Sequence, residues 1–348
     1  MRRSAVRPVA MAVLGLVVVF SVVWWVRQPR GVGYHPEVVW TATWGPGNGQ
    51  VGQARGRDGR VYGPKSFALS PGGTMWVLDS ANARLVPTAP AQAPVPLIDS
   101  RGTRVFGAED LAVTADGEFW AADNAGQRLL RRARTGEWEE APLVDGADPG
   151  APLGRVEALW APAGRRVFAM VMTVSAQGFH RRFLAAQRGV PLAQALQASR
   201  TVADSSQSLG LEGKDTATPM DGDFQQVVPG GRDRLYALRP EGAGEVRISV
   251  HGPLGKLQRE AILRLEGASR VELIGVDRSG RICLGLDLGT PGGRVAIYAP
   301  NGRPLATLPA ESSGEPSTLV WARVSPDGRI YIAYLDKSGY RLVGYKPR

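Results

Sequence analysis

A closed ring of β-sheets behind one amino-terminal apolar span is the architecture this sequence predicts, and three observations predict it. First, residues 67–86 read as strand, tight turn, strand, polar turn, strand, and the pattern returns at 111–130, with Gly73 matching Gly117 and Asp79 matching Asp123, both 44 residues on. A period of that size made of short β runs belongs to a propeller blade and not to a helical repeat. Second, altered copies of the same hairpin follow around Gly164, Asp233, Gly280 and Gly328, which brings the cassettes to six. Third, the β run 37–44 has no partner nearby in sequence, and the last cassette stops one strand short. The expectation is therefore an all-β, six-bladed β-propeller closed by pairing of an N-terminal strand with the C-terminal blade, and preceded by one transmembrane helix.

In chain order, residues 1–8 form a short basic tail. Residues 9–26 are an unbroken apolar run whose one weakly polar member is Ser21, and as a helix they would extend about 27 Å, close to the hydrocarbon thickness of a bilayer. A cleaved signal peptide would have a shorter apolar core ending at a small-residue site, whereas this run ends Trp24-Trp25-Val26-Arg27. Paired tryptophans suit a membrane–water interface, so a retained anchor is expected. Arg2, Arg3 and Arg7 before the span, against Arg27 and Arg30 after it, place the amino end inside and the large domain on the extracytoplasmic side. Residues 27–36 read as a linker and 37–348 as the propeller.

Within the propeller, blade one is expected over about 61–98 and blade two over 105–144. Blade three is expected from 156, blade four from 224, blade five from 271 and blade six from 319. Residues 187–222, rich in Ser, Gln, Asp and Gly, interrupt the pattern as a long loop or insertion. Asp-Gly, Ser-Gly and Gly-Gly at the hairpin turns supply residues tolerant of positive φ between alternating apolar strands.

Composition excludes several functions. The net charge is +10, but five arginines within residues 1–30 contribute half of it, and the remaining basic residues are scattered, so nucleic acid is not an expected partner. Cys283 is the single cysteine, which removes an intrachain disulfide, and it lies mid-strand as a buried thiol. His35, His180 and His251 are isolated, against a zinc site. The stretch 47–52 matches G-x-G-x-x-G, yet another loop and no helix follows it, so no helix N-terminus is there to hold a pyrophosphate. Pro64 spoils Gly63-Pro64-Lys65-Ser66 as a phosphate loop, and no Gly-x-Ser-x-Gly elbow occurs.

One constellation emerges from the blade register. Eight and seven residues before each turn stand Lys65-Ser66, Glu109-Asp110, Val156-Glu157, Gln225-Gln226, Glu272-Leu273 and Val320-Trp321. All would sit where the innermost strands enter the central channel, which makes Lys65, Glu109, Asp110, Glu157, Gln225 and Glu272 the candidate channel-mouth residues. The four carboxylates, Glu109, Asp110, Glu157 and Glu272, could converge on a hard cation such as Ca²⁺ at about 2.3–2.6 Å. Against this stands the plain reading that a wet channel mouth solvates polar side chains, with Lys65 pairing to Glu109.

The residues Trp44-Gly45, Gly49-Gln50, Gly63-Pro64, Gly72-Gly73 and Val77-Leu78-Asp79-Ser80-Ala81-Asn82-Ala83-Arg84 resemble the NHL-repeat family and the wider TolB-like six-bladed propellers. The last stretch is similar to that family's V-x-D-x-x-N-x-R signature. Residues 121–128 keep Asp123 and Arg128 but carry Gly126 where Asn is usual, and beyond about residue 140 only the hairpins remain. The resemblance implies that Asp79, Arg84, Asp123 and Arg128 brace turns within their blades. It also implies a binding platform, with metal-dependent lactonases and lyases among related propellers. The two expected functions are a membrane-anchored scaffold that binds a protein or small ligand on its loops without catalysis, and a metal-dependent lactonase- or esterase-like hydrolase using the acidic ring.

Overall fold

The computed structural model describes residues 32–56, 59–70, 73–143, 154–161, 166–175, 178–187, 224–231, 234–242, 244–252, 256–265, 267–288, 293–310 and 320–348. The expected tail 1–8, the span 9–26, the first half of the linker (27–31) and all but the first residue of the insertion 187–222 lie outside these residues. Among the described residues, no helix is long and apolar enough to cross a membrane.

The architecture is all-β and propeller-like. Sheet 1 has strands Ser66–Leu69, Met75–Asp79, Arg84–Pro87 and Val95–Pro96. Sheet 2 has Ala108–Val113, Phe119–Asp123, Arg128–Arg132 and Trp138–Pro142. Sheet 3 has three described strands, Arg155–Trp160, Arg166–Ser175 and Gly178–Gln187. Sheet 4 comprises Gln226–Pro229, Leu235–Gly242, Glu245–His251 and Leu257–Arg264. Sheet 5 comprises Arg270–Val276, Ile282–Asp287, Gly293–Tyr298 and Pro304–Ala310. Sheet 6 joins the chain ends: Ala322–Val324, Ile330–Leu335 and Gly339–Pro347 are extended by Tyr34–Trp44 and then Gln50–Val51. A two-stranded ribbon, Ala54–Arg55 with Val61–Tyr62, leads into sheet 1.

The closing strand runs antiparallel to the last one, from Tyr34 opposite Pro347 to Thr43 opposite Gly339, with a bulge between Val38 and Trp40. It begins at Tyr34, so the last three residues of the expected linker are strand. Pro36 is tolerated there because a strand away from the sheet centre need not donate from every residue. Pairing first and last segments satisfies the backbone groups that an open edge would expose.

The hairpins explain the repeat. In sheets 1, 2, 5 and 6 the same turn recurs: Ser70 N–H donates to Thr74 O, Thr114 to Glu118, Asp277 to Arg281 and Ser325 to Arg329. The fourth residue of each turn is a glycine with φ between +81° and +88°, namely Gly73, Gly117, Gly280 and Gly328. A side chain at that φ would be strained, which fixes glycine at these positions.

Burial shows how the sheets are arranged. Met75–Asp79 and Phe119–Asp123 are buried at every residue, as strands covered on both faces must be. Separate apolar clusters join sheets 1 and 2, 2 and 3, 3 and 4, 4 and 5, and 5 and 6, and a sixth returns from 6 to 1 through Phe67, Met75 and Val77 against Tyr340 and Leu342. Each sheet therefore packs on the next around an axis bordered by the first strand of each. Cys283 sits in the cluster between sheets 5 and 6, where burial pushes its thiol pKa up and keeps it protonated.

Candidate functional site

The channel-mouth register falls on or just before the first strand of every sheet. Instead of facing one another across open water, Ser66, Glu109, Asp110, Gln226 and Glu272 bind the neighbouring sheet. Asp110 is the centre of this arrangement and is 2% exposed. Its Oδ1 accepts from Ser66 Oγ of sheet 1 at 2.5 Å, from Leu111 N at 2.8 Å and from Arg323 Nη2 of sheet 6 at 2.6 Å. Its Oδ2 accepts from Leu159 N of sheet 3 at 2.6 Å. Arg323 also donates from Nε to Phe67 O at 3.2 Å and from Nη1 to Leu159 O at 3.1 Å. One carboxylate and one guanidinium thus tie four sheets together at the axis. A buried charge is stable only when paired and hydrogen-bonded, and each of these groups meets that condition through the other.

The same logic runs around the ring. Asn124 clasps sheet 2 to sheet 3 by donating from Nδ2 to Val156 O at 2.9 Å and accepting from Val156 N at 2.8 Å. Glu109 accepts from Asn124 Nδ2 at 2.7 Å and from Arg155 Nη2 at 2.9 Å, so its cation comes from sheet 3 and not from Lys65. Lys65 Nζ lies 4.1 Å from the centroid of the Tyr62 ring, and its carbonyl accepts from Val320 N of sheet 6. Gln226 Oε1 accepts from Leu273 N, joining sheets 4 and 5, while Gln225 beside it donates its backbone N–H to Leu238 O. Glu272 Oε2 accepts from Trp321 Nε1 at 3.1 Å, joining sheets 5 and 6.

The side chains of Glu109, Asp110 and Glu272 do not turn to one another but to partners across the seams. Among the described residues, no three His, Cys, Asp or Glu side chains form a group that could hold a metal ion. The reason is the seam: first strands of adjacent sheets do not ladder with each other, so their polar groups need side-chain partners, and the carboxylates supply them. Bulges add to the divergence. The ladder skips Glu109 between Ala108 and Asp110, and skips Glu157 between Val156 and Ala158, which re-aims both side chains. Glu157 is half-buried on its bulge.

Glu272 is the member with perturbed chemistry. Burial raises its pKa, against the Trp321 N–H and the Arg270 and Arg323 charges, which lower it, while Asp110 adds to the rise. It is half-buried.

Asp79, Arg84, Asp123 and Arg128 hold the approach to each blade. Asp79 accepts from Gly52 N at 3.0 Å, Asn82 Nδ2 at 2.8 Å and Arg84 Nε at 2.9 Å. Arg84 then donates to Pro46 O, Gly47 O and Gln50 O, pinning the loop after the closing strand. One repeat later, Asp123 accepts from Gly126 N and Arg128 Nε, both at 2.9 Å, and Arg128 reaches Glu140 at 2.5 Å and Asp99 at 3.5 Å. Gly107 makes this possible, because a Cβ there would lie 2.4 Å from Asp123 Oδ1.

Sequence reasoning missed Arg323, Asn124 and Arg155. A signal for Arg323 existed: five residues before the turn the other cassettes carry Ala68, Ala112, Leu159, Val228 and Gly275, and only the sixth carries a charge.

No known family profile matches the chain, and no curated protein does. Solved structures do. A gluconolactonase from Xanthomonas campestris aligns over 92% of this chain and 95% of its own at 14% identity, with a TM-score of 0.50. The PQQ-bound form of an aldose sugar dehydrogenase from Streptomyces coelicolor aligns over 92% and 100% at 12% identity, with a TM-score of 0.47. A luciferin-regenerating enzyme aligns over 90% and 95% at 10% identity, with a TM-score of 0.47. At 14% identity the likeness to the gluconolactonase speaks to fold alone. The chain is a β-propeller whose inner-strand polar residues lock neighbouring sheets.

Proposed function

We propose that this chain is a six-bladed propeller of the NHL-repeat and TolB-like kind. Residues 9–26 anchor it in the membrane, with the amino end inside and the propeller on the extracytoplasmic side. It serves there as a platform that binds a protein or small ligand on the loops around the channel mouth, without catalysis. The observation that carries this reading is the commitment of the axial carboxylates: Asp110 is saturated by four donors, and Glu109 and Glu272 are held across seams. A polar ring used to clamp blades leaves the loops above it as the variable surface, and loops on a rigid scaffold are where binding concentrates.

The alternative is a hydrolase of lactones or esters. One feature favours it: Glu272, with its pKa raised by burial at the channel mouth, has the character of a proton donor. The donor set for a catalytic cation is not assembled, which places this reading second. The two are separated by photo-crosslinking in cells from a probe at Glu157, run beside a lactone and ester screen. The platform predicts crosslinks to a discrete partner in the membrane fraction and no turnover. Turnover lost in both Glu157→Gln and Glu272→Gln, with no crosslink, would overturn it.

A further inference from the structure

At the other end of the inner strands from the mouth, between sheets 1 and 2, lies an open cleft of about 570 Å³. Its floor is the aromatic pair Trp76 and Phe119, edge to face with ring centroids 4.7 Å apart. Ser70 and Thr74 from the first hairpin and Gln92 from the loop after Pro87 supply polar groups at its sides. Among the described residues, Arg132 is the one charged residue in the lining, and no acid lines it.

The strand Arg128–Arg132 shows why Arg132 stands out. Residues 128, 130 and 132 point to one face, toward sheet 1, and Leu130 packs there in the shared core. At the mouth end of that face Arg128 meets three carboxylates, those of Asp123, Asp99 and Glu140. Arg131, on the opposite face, pairs with Glu139 at 2.7 Å. Arg132 is half-buried and has no carboxylate partner among the described residues. Its Nη2 would lie 3.2 Å from a Cβ on Gly136, so the absence of a side chain in that turn leaves the guanidinium its room.

We infer that this cleft binds a small organic carboxylate with a flat apolar body, the carboxylate on Arg132 and the body over Trp76 and Phe119. A planar guanidinium matches a carboxylate with two parallel hydrogen bonds, and an aromatic floor rewards a flat apolar group. The volume falls within the range of small-molecule sites, about 300–1,000 Å³. The cleft shares no residue with the channel mouth, so it stands whether or not the platform reading does.

The test is calorimetric titration of the full-length protein in a nonionic detergent with benzoate and with phenylacetate, and with benzyl alcohol as a neutral probe of similar size. One saturable site is expected for at least one of the acids, with the alcohol at least about tenfold weaker, as loss of a charge-assisted hydrogen bond implies. Arg132→Gln should weaken the acid about tenfold or more with the melting temperature unchanged. Arg132→Lys, which keeps the charge but not the fork, should fall between and serves if the first variant does not fold. Absence of saturable binding by either acid, equal binding of acid and alcohol, or binding within twofold of wild type in both variants would overturn the assignment.

Discussion

Removing the Asp110 carboxylate should destabilise this protein more than any comparable change on its surface. In Asp110→Ala, Arg323 keeps its charge with its side chain 13% exposed, and Leu159 N and Ser66 Oγ lose their acceptor. Breaking a buried pair by deleting one partner costs about 3–5 kcal/mol. An unfolding entropy of about 2.1 cal/mol/K per residue, over roughly 310 residues, makes each kcal/mol worth about 1.5 °C, so the melting temperature should fall by about 5–8 °C. Asp110→Asn should cost less, about 2–3 kcal/mol. Its carbonyl can still serve the Oδ1 donors, while its amide nitrogen would face Leu159 N and lose that bond. Asp110→Leu combined with Arg323→Met removes both charges, and its loss should be smaller than the sum of the two single losses, by about 1 kcal/mol or more. Thermal unfolding of Asp110→Ala, Asp110→Asn, the double variant and its two single variants by circular dichroism reads all of this. A fall of less than about 2 °C in Asp110→Ala, or strict additivity in the double variant, would refute the idea that this pair locks the sheets.

Three further outcomes follow from other parts of the ring. Because burial raises the Glu272 pKa in the folded state, its contribution to stability is full below the ordinary glutamate value and is lost as pH rises through the folded value. Melting temperatures from pH 4 to 8 should therefore show Glu272→Gln gaining on wild type as pH rises, and parallel curves would contradict this. Gly117→Ala meets no atom within 4 Å and should cost only the backbone strain at φ +88°, about 1–2 kcal/mol, whereas Gly107→Ala must displace Asp123 and should cost more; equal losses in urea unfolding would count against that assignment. Arg84→Met leaves the fully buried Asp79 without its cation and unpins the loop 45–50, so stability should fall by about 3 kcal/mol or more. Hydrogen exchange at residues 45–52 should quicken at least tenfold, and unchanged protection would show that the loop is held by other means.

What could be read from the sequence was local. The Asp79–Arg84 and Asp123–Arg128 pairs are five residues apart, the hairpin glycines announce their own φ, and the partnerless run near the amino end finds its place once the last cassette is seen to be short. The placement of this register on or beside the first strand of each sheet was also legible, because it needs only counting from a turn. The direction of its side chains was not. Bulges at Glu109 and Glu157 turn them out of the ladder, and Arg323 reaches partners 164 to 257 residues away. A sequence period places residues at equal heights around an axis, but it carries no information about which of them bond across a seam. The odd arginine among small and apolar residues at one register was the available clue.

The account rests on the axial carboxylates being structural clamps and not a donor set for a cation. Calorimetric titration of Ca²⁺, and then Mg²⁺, Mn²⁺ and Zn²⁺, into the full-length protein and into Glu157→Gln tests this most directly. The account predicts no saturable binding to either. One-site binding to the wild type that disappears in Glu157→Gln would contradict it and restore the metal-dependent hydrolase to first place.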